Sequence, residues 1–160
     1  HHREPGTAGG ILDDRRIFAQ VICDGIHLHP AIIRLTHVIK SSERTILITD
    51  SIVGAGFSDG VFDNNGNEIV ITNGIARTRS GGLAGSTLSM DRAISNMMAF
   101  TGLSLESVIP MATSTPAEAM GIADRKGRIE PGFDADLVIM DKDLNIEQTF
   151  VEGRLVYSTV

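Results

Sequence analysis

The chain contains no tryptophan, one tyrosine and one cysteine among its 160 residues, and each scarcity excludes something. With aromatics at 4%, the core has to be built from Ile, Leu, Val, Met and Ala. A lone Cys23 cannot close an internal disulfide, so the fold is no disulfide scaffold, and free-thiol usage of this kind suits a reducing, cytoplasmic setting. No apolar run approaches the roughly 20 residues needed to cross a bilayer. The opening residues, His1-His2-Arg3-Glu4-Pro5-Gly6, lack the apolar stretch of a signal peptide. No membrane partner is therefore expected. Positive charge is also in deficit: 14 Lys and Arg against 20 Asp and Glu leave −6. That balance argues against a nucleic-acid partner, which would need a basic stripe along a phosphate backbone. One small phosphorylated ligand, needing only a local Arg or a few backbone N–H groups, stays open. There is no internal repeat, no Gly-Lys-Ser/Thr phosphate loop and no Gly-x-Gly-x-x-Gly.

What is present is enough for one ordinary domain, with 42% apolar residues to bury a core. A short β-branched run over 17–23 reads as a buried strand ending at Asp24-Gly25. Pro30 suits the first turn of a helix, and Ile32, Leu35 and Ile39 recur at helical spacing, so the pattern predicts a helix over 30–40. A second buried strand over 45–49 ends at Asp50. From 53 to 85, glycines and the turn Asn64-Asn65-Gly66-Asn67 interrupt short strand-like pieces, the signature of inserted hairpins. Helical spacing returns at Met90, Ala93, Ile94, Met97 and Met98, with Ser86 or Thr87 expected as N-cap and Gly102 as the C-terminal stop. Shorter helices follow over 105–112 and over 116–120, the latter with Thr115 as its expected cap. The final stretch switches to strands over 136–140, 146–151 and 154–157. This order reads as an α/β unit followed by a small β appendage. Two or three strand–helix units cannot close a barrel of eight.

Three loops carry unusual polar residues. Asp24-Gly25-Ile26-His27-Leu28-His29 follows the first strand, and ligands bind at the carboxyl ends of parallel strands because side chains and backbone groups converge there. An imidazole can donate or accept a proton near neutral pH. His27-x-His29 also has the look of a two-histidine metal pair, and a satisfied structural histidine explains either residue equally well. Thr49-Asp50-Ser51 puts a carboxylate directly after an apolar strand, where partial desolvation is expected to suit it to act as a base and then as an acid. The plain alternative is a turn cap. Ser80-Gly81-Gly82-Leu83-Ala84-Gly85-Ser86-Thr87 is a glycine-rich approach to a helix whose N–H groups could meet an anion or a carbonyl.

Taken in order, Arg3-Glu4-Pro5-Gly6, Asp24-Gly25-x-His27, the strand ending at Asp50, Leu83-Ala84-Gly85-Ser86-Thr87-Leu88, Ala112-Thr113-x-x-Pro116-Ala117 and Gly132-x-x-Ala135-Asp136-Leu137 resemble the C-terminal half of the N-acetylglucosamine-6-phosphate deacetylase family. That family is a branch of the amidohydrolase superfamily. The resemblance runs through essentially the whole chain. Arg-Glu-Pro-Gly followed by Asp-Gly-x-His is its most specific part, and His1-His2, running straight into it, reads as native sequence rather than a purification tag. It implies an α/β fold: the C-terminal part of a (β/α)8 TIM-like barrel over 1–126, with a β-hairpin insertion near 53–80, and the C-terminal strands of a small β-sandwich domain over 127–160. It implies hydrolysis of the acetamide of an amino-sugar phosphate, giving glucosamine 6-phosphate and acetate. Asp50 would be the catalytic acid/base. Arg3, Asp24, Gly25, Ile26, His27, Leu83, Ala84 and Gly85 would bind substrate, and His29 would have no required role.

The same resemblance implies a divalent metal, zinc or iron, in the intact enzyme. The family's ligands, one Glu and two His, lie upstream of the Arg-Glu-Pro-Gly motif. No residue of this chain is thus assigned to metal, none is expected bound by this stretch alone, and the 160 residues by themselves are expected to be inactive. A homodimer and a cytoplasmic location come with the family. Two other readings stay open: another amidohydrolase of dihydroorotase-like or dipeptidase-like type, and a non-catalytic assembly fragment.

Overall fold

The computed structural model describes residues 3–159. His1, His2 and Val160, and with them the reading of the His-His start, lie outside the described residues. The chain is α/β. Helix α1 (Gly6–Asp13) leads into strand β1 (Ala19–Ile22), helix α2 (Pro30–Arg44) and strand β2 (Thr45–Ile48). Strands β3 (Gly60–Asn64), β4 (Asn67–Thr72) and β5 (Ile75–Thr78) follow, then helix α3 (Met90–Thr101), the short helix α4 (Leu105–Val108), a 3₁₀ turn at Ile109–Ala112 and helix α5 (Ser114–Ala119). Strands β6 (Leu137–Met140), β7 (Ile146–Val151) and β8 (Arg154–Ser158) end the chain.

β1 and β2 pair in parallel, Val21 beside Leu47, with α2 as the crossover that a parallel pair requires. The alternation of buried positions along β1 and just past its end (Ala19, Val21, Cys23) turns Val21 and Cys23 onto α2 and α3. Val21, Cys23, Leu47 and Ile33 meet Ala93, Met97, Val108 and Met111 in one aliphatic and thioether core. Each large side chain there contributes about 2 kcal/mol of transfer free energy. The two antiparallel meanders are separate sheets, ordered β3-β4-β5 and β6-β7-β8. The first has its own small core of Ile69, Ile71 and Ala76.

Most expected elements form, with instructive differences. α1 was not expected. α2 presents Ile33, Thr36 and Lys40 inward, whereas Ile32, Leu35 and Ile39, whose spacing predicted the helix, lie 46%, 54% and 46% exposed. The regular winding of α2 is interrupted by a kink at Ser41, where φ is 57° and ψ 178°, one residue past the expected 30–40, before the helix runs on to Arg44. Lys40, buried, donates to the carbonyls of Asp14 (2.6 Å) and Ile17 (2.9 Å), tying the end of α1 to α2.

The expected caps move as well. Ser89, not Ser86 or Thr87, occupies the N-cap of α3 and makes no side-chain capping bond. Ser86 is instead drawn under the end of β2, its hydroxyl donating to the Thr49 carbonyl. Thr115 is buried inside α5 and donates to the Ser42 carbonyl at 2.8 Å, while Thr113 precedes the helix. Pro110 splits the 105–112 segment into α4 and the 3₁₀ turn, because it has no N–H to continue an α-helix. Gly102 ends α3 in the left-handed conformation, as its position suggested. Among the described residues no helix is long and apolar enough to cross a membrane.

Candidate active site

The turn after β1 is held by a single carboxylate. Asp24 Oδ1 accepts the backbone N–H groups of Ile26 (2.8 Å) and His27 (2.9 Å), and Oδ2 lies 2.7 Å from His27 Nδ1. Gly25 takes a positive φ of 74°, and a Cβ there would come within 3.1 Å of the Phe100 ring, so the tight turn favours glycine twice over. The side chains of Asp24 and His27 are 8% and 18% exposed. Burial pushes the Asp24 carboxyl up, but the hydrogen bonds from His27 and from the N–H groups of His27 and Ile26 outweigh it and hold it below the usual carboxylate range. α3 braces the turn from the side, with Asn96 Nδ2 donating to the Cys23 carbonyl at 2.8 Å.

The second glycine-rich segment lies against the end of β2. Ser86 N–H donates to the Asp50 carbonyl (2.8 Å) and the Ser86 carbonyl accepts from Ile52 N–H (3.0 Å), a parallel bridge between Ser51 and Ser86. Ser51 reciprocates by donating its hydroxyl to the Leu88 carbonyl. Gly85 has φ +63°, and a Cβ on it would lie 2.3 Å from Ile52 Cγ2 and 2.9 Å from the Asp50 carbonyl oxygen. Only glycine admits this approach.

Asp50 itself departs from expectation. The strand before it is buried, but a left-handed turn (φ 49°) carries its side chain outward, and it is exposed rather than partly desolvated. Its carboxylate has no hydrogen-bond partner among the described residues.

Two cavities adjoin at this place. One, of about 270 Å³, is lined by Asp24, Ile26, His27, Leu83 and Gly85 together with Arg92 and the 86–89 segment. The other is lined by Asp50, Ser51, Ala84 and Gly85. Gly85 belongs to both walls. The fold therefore brings the 24–27 and 83–85 turns together, with Asp50 on the far side of Gly85. Arg3 lies in the exposed turn before α1 and lines neither cavity. His29 caps α2, its Nδ1 accepting from Ala31 N–H at 3.2 Å.

A model described as the amidohydrolase family matches residues 9–156. The chain belongs to the amidohydrolase family. Among curated amidohydrolase relatives, it is 42% identical over 155 residues to an N-acetylgalactosamine-6-phosphate deacetylase of Escherichia coli O157:H7, covering 97% of this chain and 41% of that protein. It is 40% identical over 157 residues to an N-acetylglucosamine-6-phosphate deacetylase of Vibrio furnissii, covering 98% and 39%. A relative from E. coli K12, 42% identical, is covered to 92% of its own length, but the chain spans about two fifths of the other two. The crystal structure of N-acetylglucosamine-6-phosphate deacetylase from Thermotoga maritima superposes with a TM-score of 0.93 at 36% identity, over 99% of this chain and 44% of that one. An aspartate-to-alanine variant of the Mycobacterium smegmatis enzyme, in complex with N-acetyl-D-glucosamine 6-phosphate, superposes at 0.92 with 32% identity, over 99% and 42%.

Amidohydrolases generally use a divalent metal, but the described residues do not fit one. No group of three or more His, Cys, Asp or Glu among them is placed to hold an ion. Cys23, beside the site, is no ligand candidate either: burial, with the Asp24 charge adding to it, pushes its thiol up to about 12. Sequence reasoning missed Arg92 and Asn96, which reach the first cavity from the same face of α3. Two polar residues four apart, and so on one face of the helix, were the available signal. It also missed the 74–76 backbone of the hairpin turn, which forms part of the same wall and carries no side-chain chemistry to advertise it.

Proposed function

We propose that this chain works as the C-terminal part of an enzyme that hydrolyses the acetamide of N-acetylglucosamine 6-phosphate, releasing acetate and the amino-sugar phosphate. In this reading 1–126 belongs to a (β/α)8 barrel with its hairpin insertion near 53–80, and 127–160 to a small β-sandwich domain. The observation that carries it is the meeting of the 24–27 turn, the 83–85 turn and Asp50 around Gly85. Three segments far apart in sequence, each matching a motif of one enzyme family, converge at the carboxyl ends of parallel strands.

Asp50 takes a proton from the attacking water as its oxygen adds to the acetyl carbonyl carbon. It returns that proton to the sugar nitrogen as the C–N bond breaks. A carboxylate with both oxygens uncommitted suits that two-way transfer. The solved relative that holds the sugar phosphate does so in an aspartate-to-alanine variant, which agrees with an aspartate being needed for turnover. The 24–27 and 83–85 segments hold the sugar, and the Arg3 fork holds the phosphate. A homodimer, zinc or iron as the metal and a cytoplasmic location belong to the same reading and rest on the family resemblance.

Acetate release from the sugar phosphate by the intact protein tests the activity, and no release above background sinks it. Replacing Arg3 with Met should cost about 10-fold or more in kcat/KM for the phosphorylated sugar and little for the unphosphorylated one. Unchanged discrimination would favour another amidohydrolase. The 42% identity to a galactosamine-named relative against 40% for the glucosamine-named one favours a second substrate reading, the 4-epimer. Parallel assays with both sugar phosphates decide it.

A further inference from the structure

We infer that Asp24 is a positioning residue rather than a substrate contact, and that its work is to fix the tautomer and direction of His27 so that Nε2 meets the ligand. The inference rests on the cavity of the proposed function being the ligand site. It departs from the family resemblance, which groups all four residues of the 24–27 turn as ligand-binding.

The geometry leaves Asp24 little else to do. A carboxylate offers two oxygens, and here one takes two backbone N–H groups while the other takes the imidazole. The side chain is 8% exposed and already accepts three hydrogen bonds, so most of its accepting capacity is spent inside the turn. Since the carboxyl is held ionised by these same donors, it is purely an acceptor, and the proton between it and Nδ1 belongs to the imidazole. The remaining ring nitrogen, Nε2, has no partner among the described residues. It sits on a residue that lines the cavity. In the neutral ring Nε2 then accepts, as a sugar hydroxyl requires, and in the charged ring it donates, as a phosphate oxygen requires. A ring free to flip would offer either nitrogen in either state. The other charged side chain lining the cavity is Arg92, on α3; it makes no hydrogen bond or ion pair to Asp24 or His27 among the described residues.

The replacement Asp24→Asn isolates this role. Asn keeps an oxygen for the two backbone N–H groups but turns an N–H toward Nδ1, so the neutral imidazole must move its proton to Nε2. Nitrogen-15 NMR of the His27 ring, at a pH where it is neutral, reads the change directly. The parent protein should carry its proton on Nδ1 and the variant on Nε2. Steady-state kinetics with the N-acetylated sugar phosphate should show KM rising about 10- to 100-fold, kcat changing several-fold less, and the pH profile of kcat/KM displaced. Circular dichroism and the melting transition of the variant check that the turn has not simply unfolded. If the variant melts out, Asp24→Glu replaces it: a carboxylate one methylene longer should restore the Nδ1 proton and part of the affinity.

The same Nδ1 signal in parent and Asn variant would overturn the proposal. So would a reversed tautomer with unchanged KM, or a loss confined to kcat. An inactive parent protein would overturn the proposed function instead, and the NMR comparison would still decide whether Asp24 sets the ring.

Discussion

Two aspartates stand at corresponding places, each just beyond a strand of the same parallel pair, and the fold treats them in opposite ways. Asp24, after β1, is drawn inward and accepts three hydrogen bonds from the turn it starts, two on Oδ1 and one on Oδ2. Asp50, after β2, is turned outward by a left-handed backbone and contributes only its carbonyl to the scaffold, through Ser86. A carboxylate held by three donors is suited to orienting a neighbour and poorly suited to carrying a proton. One whose acceptors are empty can carry a proton but depends on its backbone for direction. The division of labour follows from hydrogen-bond supply at the two strand ends, not from residue type.

The largest expected effect comes from removing the free carboxylate. Asp50→Asn keeps the turn-compatible shape, since Asn tolerates a left-handed φ as Asp does, and removes the proton carrier. Turnover in the intact protein should fall about 10²- to 10⁴-fold with a near-unchanged melting transition. A variant that retains full kcat would end the assignment of the two roles.

Next comes the glycine that lets the two cavities share a wall. Gly85→Ala adds a methyl where Ile52 and the Asp50 carbonyl already stand, at a φ of +63°. The cost should be about 2 kcal/mol or more in chemical denaturation, with loss of activity as Asp50 is displaced. Gly66→Ala is the matched control, because it also sits at positive φ (+82°) with nothing within 4 Å. It should show the conformational cost of about 1 kcal/mol and leave activity alone. Equal losses in both would mean that close packing at Gly85 is not what holds Asp50.

Much of this was legible in the sequence, for reasons that mark its limits. Buried strands announced themselves because Val21, Leu47 and their neighbours lie in short β-branched runs, and the hairpin announced itself through Asn65-Gly66, which both take positive φ. The caps did not. Ser86 and Thr115 carry the right hydroxyl for an N-cap, but each spends it on a carbonyl from a distant segment, Thr49 and Ser42, and such a partner is invisible along the chain. The exposure of Asp50 was misjudged for the same reason: a buried strand says nothing about the backbone angle of the residue after it. Motif matches named the residues of the proposed site, whereas which aspartate is bound and which is free needed coordinates.

A smaller effect should appear in acid. Asp24 is held below its ordinary value of 3.8, so the folded state binds its proton less readily than the unfolded chain does. The resulting stabilisation is fully present above about pH 4, and is lost as the pH falls through the folded-state value. Denaturation curves between neutral pH and pH 2 should therefore converge for the parent and Asp24→Asn at the acid end, with the difference between them largest above pH 4. A gap that widens toward acid would show that the carboxylate is not held ionised by its turn.

The smallest effect is an expected absence of reaction. Cys23 precedes Asp24, is buried beside Met97, and has its thiol pushed up to about 12, first by burial and then by the Asp24 charge. At pH 8 almost none of it is thiolate, the species that alkylates. Iodoacetamide should leave the native protein unlabelled by mass spectrometry over hours, and should label it once within minutes in denaturant. Rapid labelling of the native protein would mean that the end of β1 opens on that timescale. A carboxylate in a segment that opens cannot hold an imidazole to one tautomer, and the contrast between a committed Asp24 and a free Asp50 would then describe an average of states instead of two fixed environments.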